Sequence, residues 1–302
     1  MTLLLIEQVL NGLQLGVMLF LISAGLTLVF GVMGLINLAH GSLYMVGAFA
    51  AAAVAAATGS YLLGIIASMI AAAVAGVLIE TLVIRRLYGR DHLDQVLATF
   101  ALILIFSEGT RMVFGSFPLY LSIPSLIAGP VTLPGGLQYP LFRLVLIAVG
   151  VAVAVGLYLL ITRTRLGIQI QAGETDREMI GALGVDISKL YTFVFALGAG
   201  LAGLAGALVG TIQSVQVGMG EPVLITAFVV IVIGGIGSIR GAFVGALLVG
   251  LTDTLGAFLL PKASEAVFAS ADIGSVLSSM LIYILMAVVL VLRPTGLFGG
   301  TT

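Results

Sequence analysis

The sequence has no cysteine and no tryptophan, and only two histidines and two lysines among 302 residues. Without cysteine there is no disulfide framework, no thiolate-held metal and no cysteine nucleophile. His40 has no second histidine or carboxylate near it in the sequence, which argues against a metal site. Neither lysine completes a nucleotide-binding loop: Lys189 precedes Leu190, Lys262 precedes Ala263, and neither follows the required glycines. A G-x-S-x-G nucleophile elbow is also missing. The chain therefore reads as a non-enzyme that binds no cofactor of its own, and any ATP hydrolysis must reside on another chain. The start, MTLLLIEQV, lacks a basic region and a small-residue cleavage site, so it is not expected to be a removable signal peptide.

Charge is scarce as well. Charged residues make up 8% of the chain and hydrophobic residues 61%, against roughly 25% charged in a soluble domain. The mean hydropathy of +1.27 places the chain in a lipid bilayer, where runs of about 20 apolar residues form helices. Forty glycines among abundant Ala, Val and Leu favour closely packed helices over a barrel. The expected fold is an all-α polytopic membrane protein. Its apolar segments lie near 8–31, 37–57, 61–84, 93–114, 141–162, 190–211, 223–238, 241–260 and 273–292. These give about eight or nine spans.

Basic residues set the orientation. Arg85, Arg86 and Arg90 share one loop; Arg163, Arg165, Arg177 and Lys189 share another two spans later; Arg240 and Arg293 fall on the same side. That side is read as cytosolic. The loop 115–140, with Pro118, Pro124, Pro130, Pro134 and Pro140, is then external and extended or turn-like. The C-terminus is cytosolic, and the N-terminus external if 8–57 makes two crossings.

The longest polar stretch is RTRLGIQIQAGETDREMIGALGVDISK, Arg163 to Lys189. It holds four of the twelve basic and four of the thirteen acidic residues. Within it Thr175 and Glu178 have the spacing of a capping box, Asp176 and Arg177 open the first turn, and Gly184 is placed as the stop. Met179, Ile180 and Leu183 fall on one face. A two-turn helix with an apolar stripe, held outside the membrane, has a shape that docks into a groove on another protein.

Two glycine-interrupted stretches, GLTLVFGVMGLINLAHGSLYMVGAFA (25–50) and FVVIVIGGIGSIRGAFVGALLVG (228–250), resemble each other. They suggest an internal repeat with a substrate path at its interface. Asn37, His40 and Ser42 lie in the first, and Asp253 follows the second near the expected midplane; all four are placed on that path. Asn37 has a second use, satisfying backbone groups freed at a helix break. Gly203, Gly206 and Gly210, in GAGLAGLAGALVG, have small-xxx-small spacing and are assigned to helix packing. Glu108 with Arg111, and Glu80 with Arg85, are expected to pair.

Taken together, GLTLVFGVMGLINLAHGSLYMVGAF, RTRLGIQIQAG with DREMIGALGVD, FALGAGLAGLAGALVG and VIGGIGSIRGAFVGALLVG resemble the smaller, H-type permease subunits of bacterial ABC importers for branched-chain amino acids. The likeness runs over nearly the whole chain, 1–302, as a single permease domain. It implies a coupling role toward an ATP-binding subunit for 163–189, and for Thr175 to Gly184 in particular. Glu178 and Gly184 keep the family's Glu-to-Gly spacing, but Met179 and Ile180 replace its small residues and the downstream Ile-x-Leu-Pro is missing. It further implies a second homologous permease, ATP-binding cassette subunits and a periplasmic solute-binding protein as partners, in the bacterial inner membrane. Urea, amides or sugars are alternative solutes, and an ion-coupled secondary transporter or channel is the alternative mechanism. Nothing points to nucleic acid.

Overall fold

A computed structural model describes residues 2–268 and 270–299. Eleven α-helices are described in it: α1 Thr2–Met33, α2 His40–Thr58, α3 Tyr61–Leu82, α4 His92–Phe114, α5 Leu141–Arg163, α6 Arg165–Thr175, α7 Arg177–Ala182, α8 Ile187–Gly210, α9 Gly220–Gly234, α10 Ile239–Phe268 and α11 Asp272–Leu292. Eight are long and apolar enough to cross a membrane; α9 is shorter, and α6 and α7 form the polar loop. The arginine-rich turns gather at one end, which the positive-inside rule makes cytosolic. At the other end the Pro-rich loop folds into a small hairpin, β1 Pro130–Thr132 with β2 Gln138–Pro140, Val131 opposite Tyr139. Tyr139 and Arg143 donate to Asn11 Oδ1 at 3.0 and 2.6 Å, which fixes the start of α1 beside this outer loop.

The interior is built on α1 and α8. About 83% and 78% of their most apolar windows are buried, against 11% for α11; α3, α4, α5 and α11 instead turn Ile, Leu and Val outward, as lipid-facing helices do. The two central helices cross where Gly25 and Gly198 face each other. A Cβ on Gly25 would sit 2.5 Å from the Gly198 carbonyl oxygen, and one on Gly198 2.8 Å from that of Gly25. Only glycine lets the two backbones come this close.

The repeat is present, but its halves are not those suggested by the glycine pattern. α1 runs to the cytosolic end; residues 34–39 then climb back, and α2 starts at His40, whose ring lies against Gly25. Gly25 is eight residues above Met33, about 12 Å at 1.5 Å per residue, so α2 begins near mid-depth. In the second half α8 runs outward, residues 211–219 dip back, and α9 starts at Gly220 against Gly41. Thus α1–α2 matches α8–α9 with inverted direction. The neighbours obey the same symmetry. α1 packs on α10 as α8 packs on α3; α2 lies on α3 and α8 as α9 lies on α10 and α1; α4 touches α2 as α11 touches α9. The stretch 228–250 straddles a full-depth turn, Gly235–Ser238, not a mid-depth break. Glycine marks both kinds of turn, and local sequence does not report depth.

Each break has its own means of satisfying backbone groups. Asn37 Oδ1 accepts from the Ala39 amide at 3.0 Å. In the second half, Leu119 and Val215 exchange two backbone bonds of 2.8 Å, tying the dipping segment to the outer loop. At the cytosolic end of α9, Leu297 and Phe298 donate to the carbonyls of Ile233 and Gly234, each at 2.9 Å.

Gly203 lies where a Cβ would be 2.6 Å from Ala72 Cβ and from the Ser68 carbonyl oxygen; Gly206 faces the Tyr44 backbone and Gly210 the Val215 side chain. Helix propensity alone favours Gly→Ala by about 1 kcal/mol, whereas overfilling a packed contact costs about 1–3 kcal/mol. Gly203→Ala is expected to lower the unfolding midpoint in detergent, and Gly109→Ala, with open space around it, to leave it unchanged or raise it. A Gly203→Ala chain as stable as wild type would contradict the packing account.

Candidate functional site

The polar loop is a two-helix bracket. Thr164 caps α6 by accepting from the Gly167 amide at 3.2 Å. α6 ends and α7 begins at Asp176, whose extended backbone (φ −151°, ψ 97°) serves both helices. The cap of α7 is Asp176, not the expected Thr175–Glu178 box: Asp176 Oδ1 accepts from the amides of Glu178 and Met179 at 3.0 and 2.9 Å. Thr175 instead donates to the Gln171 carbonyl at 3.0 Å, as a residue of the last turn of α6. The unforeseen helix α6 takes Thr175 out of the cap position. At the far end Gly184 has φ +89°. Its amide donates to Gly181 O at 3.0 Å and that of Val185 to Ile180 O at 3.3 Å, a Schellman stop.

The expected apolar stripe divides. Ile180 is 4% exposed and anchors α7, while Met179 and Leu183 are 60% and 77% exposed. Arg177 and Glu178 are also at the surface. Asp186 then caps α8 through the Lys189 amide at 3.1 Å and pairs with the Lys189 ammonium at 3.1 Å. That amide bond, with the side-chain bond second, holds the Asp186 carboxyl below its ordinary range.

Glu174 falls in the loop expected to couple, 163–189, but its contact with the glycine turns was not foreseen. Its Oε1 lies between the two cytosolic glycine turns: a Cβ on Gly31 would be 3.3 Å from it, and one on Gly237, at φ +83°, 2.5 Å. A Cβ on Gly34, at φ +68°, would lie 3.9 Å from the Arg177 guanidinium. The bracket thus touches the inner ends of both repeat halves. Glu174 also lines a cavity of about 240 Å³ with Thr27, Tyr158, Gln171, Ser238 and Arg240. The Arg240 guanidinium lies 5.1 Å above the Tyr158 ring. Partial burial raises the Glu174 carboxyl above its ordinary value.

Away from this cavity, Glu80 is fully buried and fully bonded. It accepts from Arg85 Nε and Nη2 at 3.1 and 2.9 Å, from the Tyr88 hydroxyl at 2.8 Å and from the Thr192 hydroxyl at 2.8 Å. This knot ties α3 to α8 at the cytosolic surface. The outer pair Glu108–Arg111 meets at 2.9 Å in the open.

Of the residues placed on a path, three come together. Asn37 and His40 are completely enclosed, with Asn37 Nδ2 and both His40 ring nitrogens unpartnered among the described residues. Ser42 is 4% exposed and lines a narrow cleft with Ser107, Gly220 and Glu221. Asp253 does not join them. It lies two residues beyond Leu251, which meets Gly12 of α1. Gly12 is thirteen residues from Gly25, about 20 Å along that helix. Asp253 was read as mid-depth because α10 was taken as the twenty residues 241–260; its true 30-residue length makes the count misleading. Glu221 was missed. Its text, GMGEPV, reads as a loop before an apolar run, yet it is the first turn of a helix inside the membrane. Among the described residues no three His, Asp or Glu side chains gather as a metal site.

This arrangement has an inverted pair of half-helices meeting at mid-depth and a polar bracket spanning both inner turns. A sequence profile described as the permease component of branched-chain amino acid transport systems matches residues 8–290. The chain belongs to this family. It is 31% identical to the high-affinity branched-chain amino acid transport system permease protein BraD of Pseudomonas aeruginosa, over 97% of this chain and 95% of that protein. It is 28% and 27% identical to the corresponding LivH proteins of Salmonella typhimurium and Escherichia coli, over the same shares. No solved structure matches. Family members are transport subunits, not enzymes.

The Glu174 carboxyl supplies a pH test. With its pKa raised on folding, the folded chain holds more protons than the unfolded one above the ordinary value of 4.5, so stability falls as pH rises through that window. Glu174→Gln should match wild type below the window and be the more stable above it. Detergent melting midpoints at about pH 4 and about pH 8 check this; an equal difference at both would rule it out.

Proposed function

We propose that the chain is one permease subunit of an ABC importer for branched-chain amino acids in the bacterial inner membrane. The family supports the permease role; the names of the relatives point to the solute. No Walker A loop is present in the sequence, so the energy comes from a separate ATP-binding subunit. A second, homologous permease and a periplasmic binding protein complete the assembly.

The observation that carries the coupling reading is the pair Met179 and Leu183, one turn apart and outward-facing on a helix whose third apolar residue, Ile180, is buried. In the single chain most of the surface of both side chains faces solvent. They form the apolar tip of α7, capped at both ends and flanked by Arg177 and Glu178, and they suit a groove on the ATP-binding subunit. Behind the tip, Glu174 lies against Gly31 and Gly237, and the Arg177 guanidinium is close to Gly34. A push on α7 is thereby passed to both inner turns at once, and the two half-helices shift together. This is alternating access driven from outside the membrane.

The double variant Met179→Glu with Leu183→Glu changes only exposed positions, so membrane insertion and melting in detergent should be unaltered. Recovery of the ATP-binding subunit with the permease, and leucine uptake by the reconstituted transporter, should each fall at least tenfold (about 1.4 kcal/mol of docking energy). Normal assembly and uptake would place coupling elsewhere. Uptake by the purified single chain, driven by an ion gradient without ATP, would overturn the importer reading itself.

A further inference from the structure

Both half-helices start at mid-depth without a side-chain cap. The N-cap of α2 is Ala39 and that of α9 is Met219, and neither offers a hydrogen bond to the first turn. Helix starts buried in this way leave backbone donors that need a partner. The Gly41 amide has none among the described residues. The two starts face each other through Gly41 and Gly220.

The repeat makes the two starts comparable residue by residue: Gly41 answers Gly220, and Ser42 answers Glu221. The symmetry is broken at this second pair. The first turn of α2 carries no acidic residue, whereas that of α9 carries Glu221. One mouth of the cleft therefore has the positive end of a helix dipole and one free donor, the Gly41 amide, since His40, Ser42 and Leu43 donate to the carbonyls of Asn37 and Ala39. The other holds a carboxylate. Ser42, 4% exposed, lines the cleft and makes no side-chain hydrogen bond among the described residues; Ser107 of α4 and Glu221 line it too and are likewise unbonded. Three polar side chains without partners converge there.

Glu221 is exposed on the surface of the single chain at a depth where acyl chains do not tolerate a carboxylate. Pro222 and Ile225 beside it are exposed as well. This face lies between α4 and α11, away from α5, and lipid cannot be what covers it. Water and a second permease can.

The cleft itself holds only about 10 Å³ in the single chain, and we infer that it is one wall of a solute site at the membrane midplane, completed across the face that a second permease covers, with polar groups matched to the two ends of a zwitterion. The Glu221 carboxylate receives the ammonium group of an amino acid. The start of α2, with the Gly41 amide and the Ser42 hydroxyl, receives the carboxylate. The bland account, that Glu221 merely complements its own helix dipole, leaves the free Gly41 amide and the unbonded serines without a purpose. The inference rests on the permease reading and adds the part of the solute that is recognised.

The test uses the assembled transporter in proteoliposomes with its binding protein. Glu221→Gln should lower leucine uptake at least tenfold, Glu221→Asp should keep much of it, and ATP hydrolysis stimulated by the loaded binding protein should stay within about twofold of wild type. Because the chain has no cysteine, Glu221→Cys introduces its sole thiol. That thiol should react with a water-borne cationic thiosulfonate, and saturating leucine should slow the reaction. A Gln variant that imports leucine normally, loss of uptake together with hydrolysis, or a thiol closed to water overturns the site. If the wild-type assembly imports no leucine while leucine still protects the thiol, the importer reading falls and the site stands.

Discussion

The structure depends on keeping a non-helical backbone away from lipid. Residues 34–39 and 211–219 enter the membrane with helical hydrogen bonding only where they join the flanking helices, and hydrocarbon supplies no substitute for the rest. They persist because α1 and α8 are drawn together at Gly25 and Gly198 and enclose the two dipping segments within protein. Most other features follow from this enclosure. The small residues of α3 and α10 let those helices close on the central pair, Asn37 turns its side-chain oxygen to the backbone, and the outer loop forms a bridge with Val215. A larger side chain at the crossing would separate the central helices and open the two breaks together.

Enclosure also explains the division of labour along the chain. The half-helices start at mid-depth, away from the cytosolic end. The α6–α7 bracket lies at that end and reaches back to the inner turns through one carboxylate and one guanidinium. The Glu80 knot on the opposite flank, between α3 and α8, holds its surroundings rigid.

Much of this was legible in the sequence. Span positions follow from hydropathy, and the gathering of the arginine-rich turns at one end from their spacing, signals that act over whole segments and tolerate small errors. Gly184 was readable because a left-handed stop selects glycine locally. Depth was not readable. Gly34, Gly218 and Gly237 all have positive φ, yet one sits in a mid-depth approach and another at the surface, and only tertiary contacts separate them. The capping box failed for a related reason. Thr175 satisfies the local pattern, but α6, held in place by packing against α1 and α8, claims it first. Glu221 was hidden because a charge beside Gly and Pro normally means solvent, and the inverted repeat places that text in the bilayer.

The joint between residues 297–298 and the cytosolic end of α9 bears on biogenesis. Those two amides close carbonyls more than sixty positions earlier in the chain. Until residue 298 has cleared the ribosome, α9 is inserted with its lower end unfinished, and α10 and α11 must already be in place around it. The second repeat therefore matures after the first, and a nascent chain halted short of this point carries an open seam that quality-control proteases can recognise.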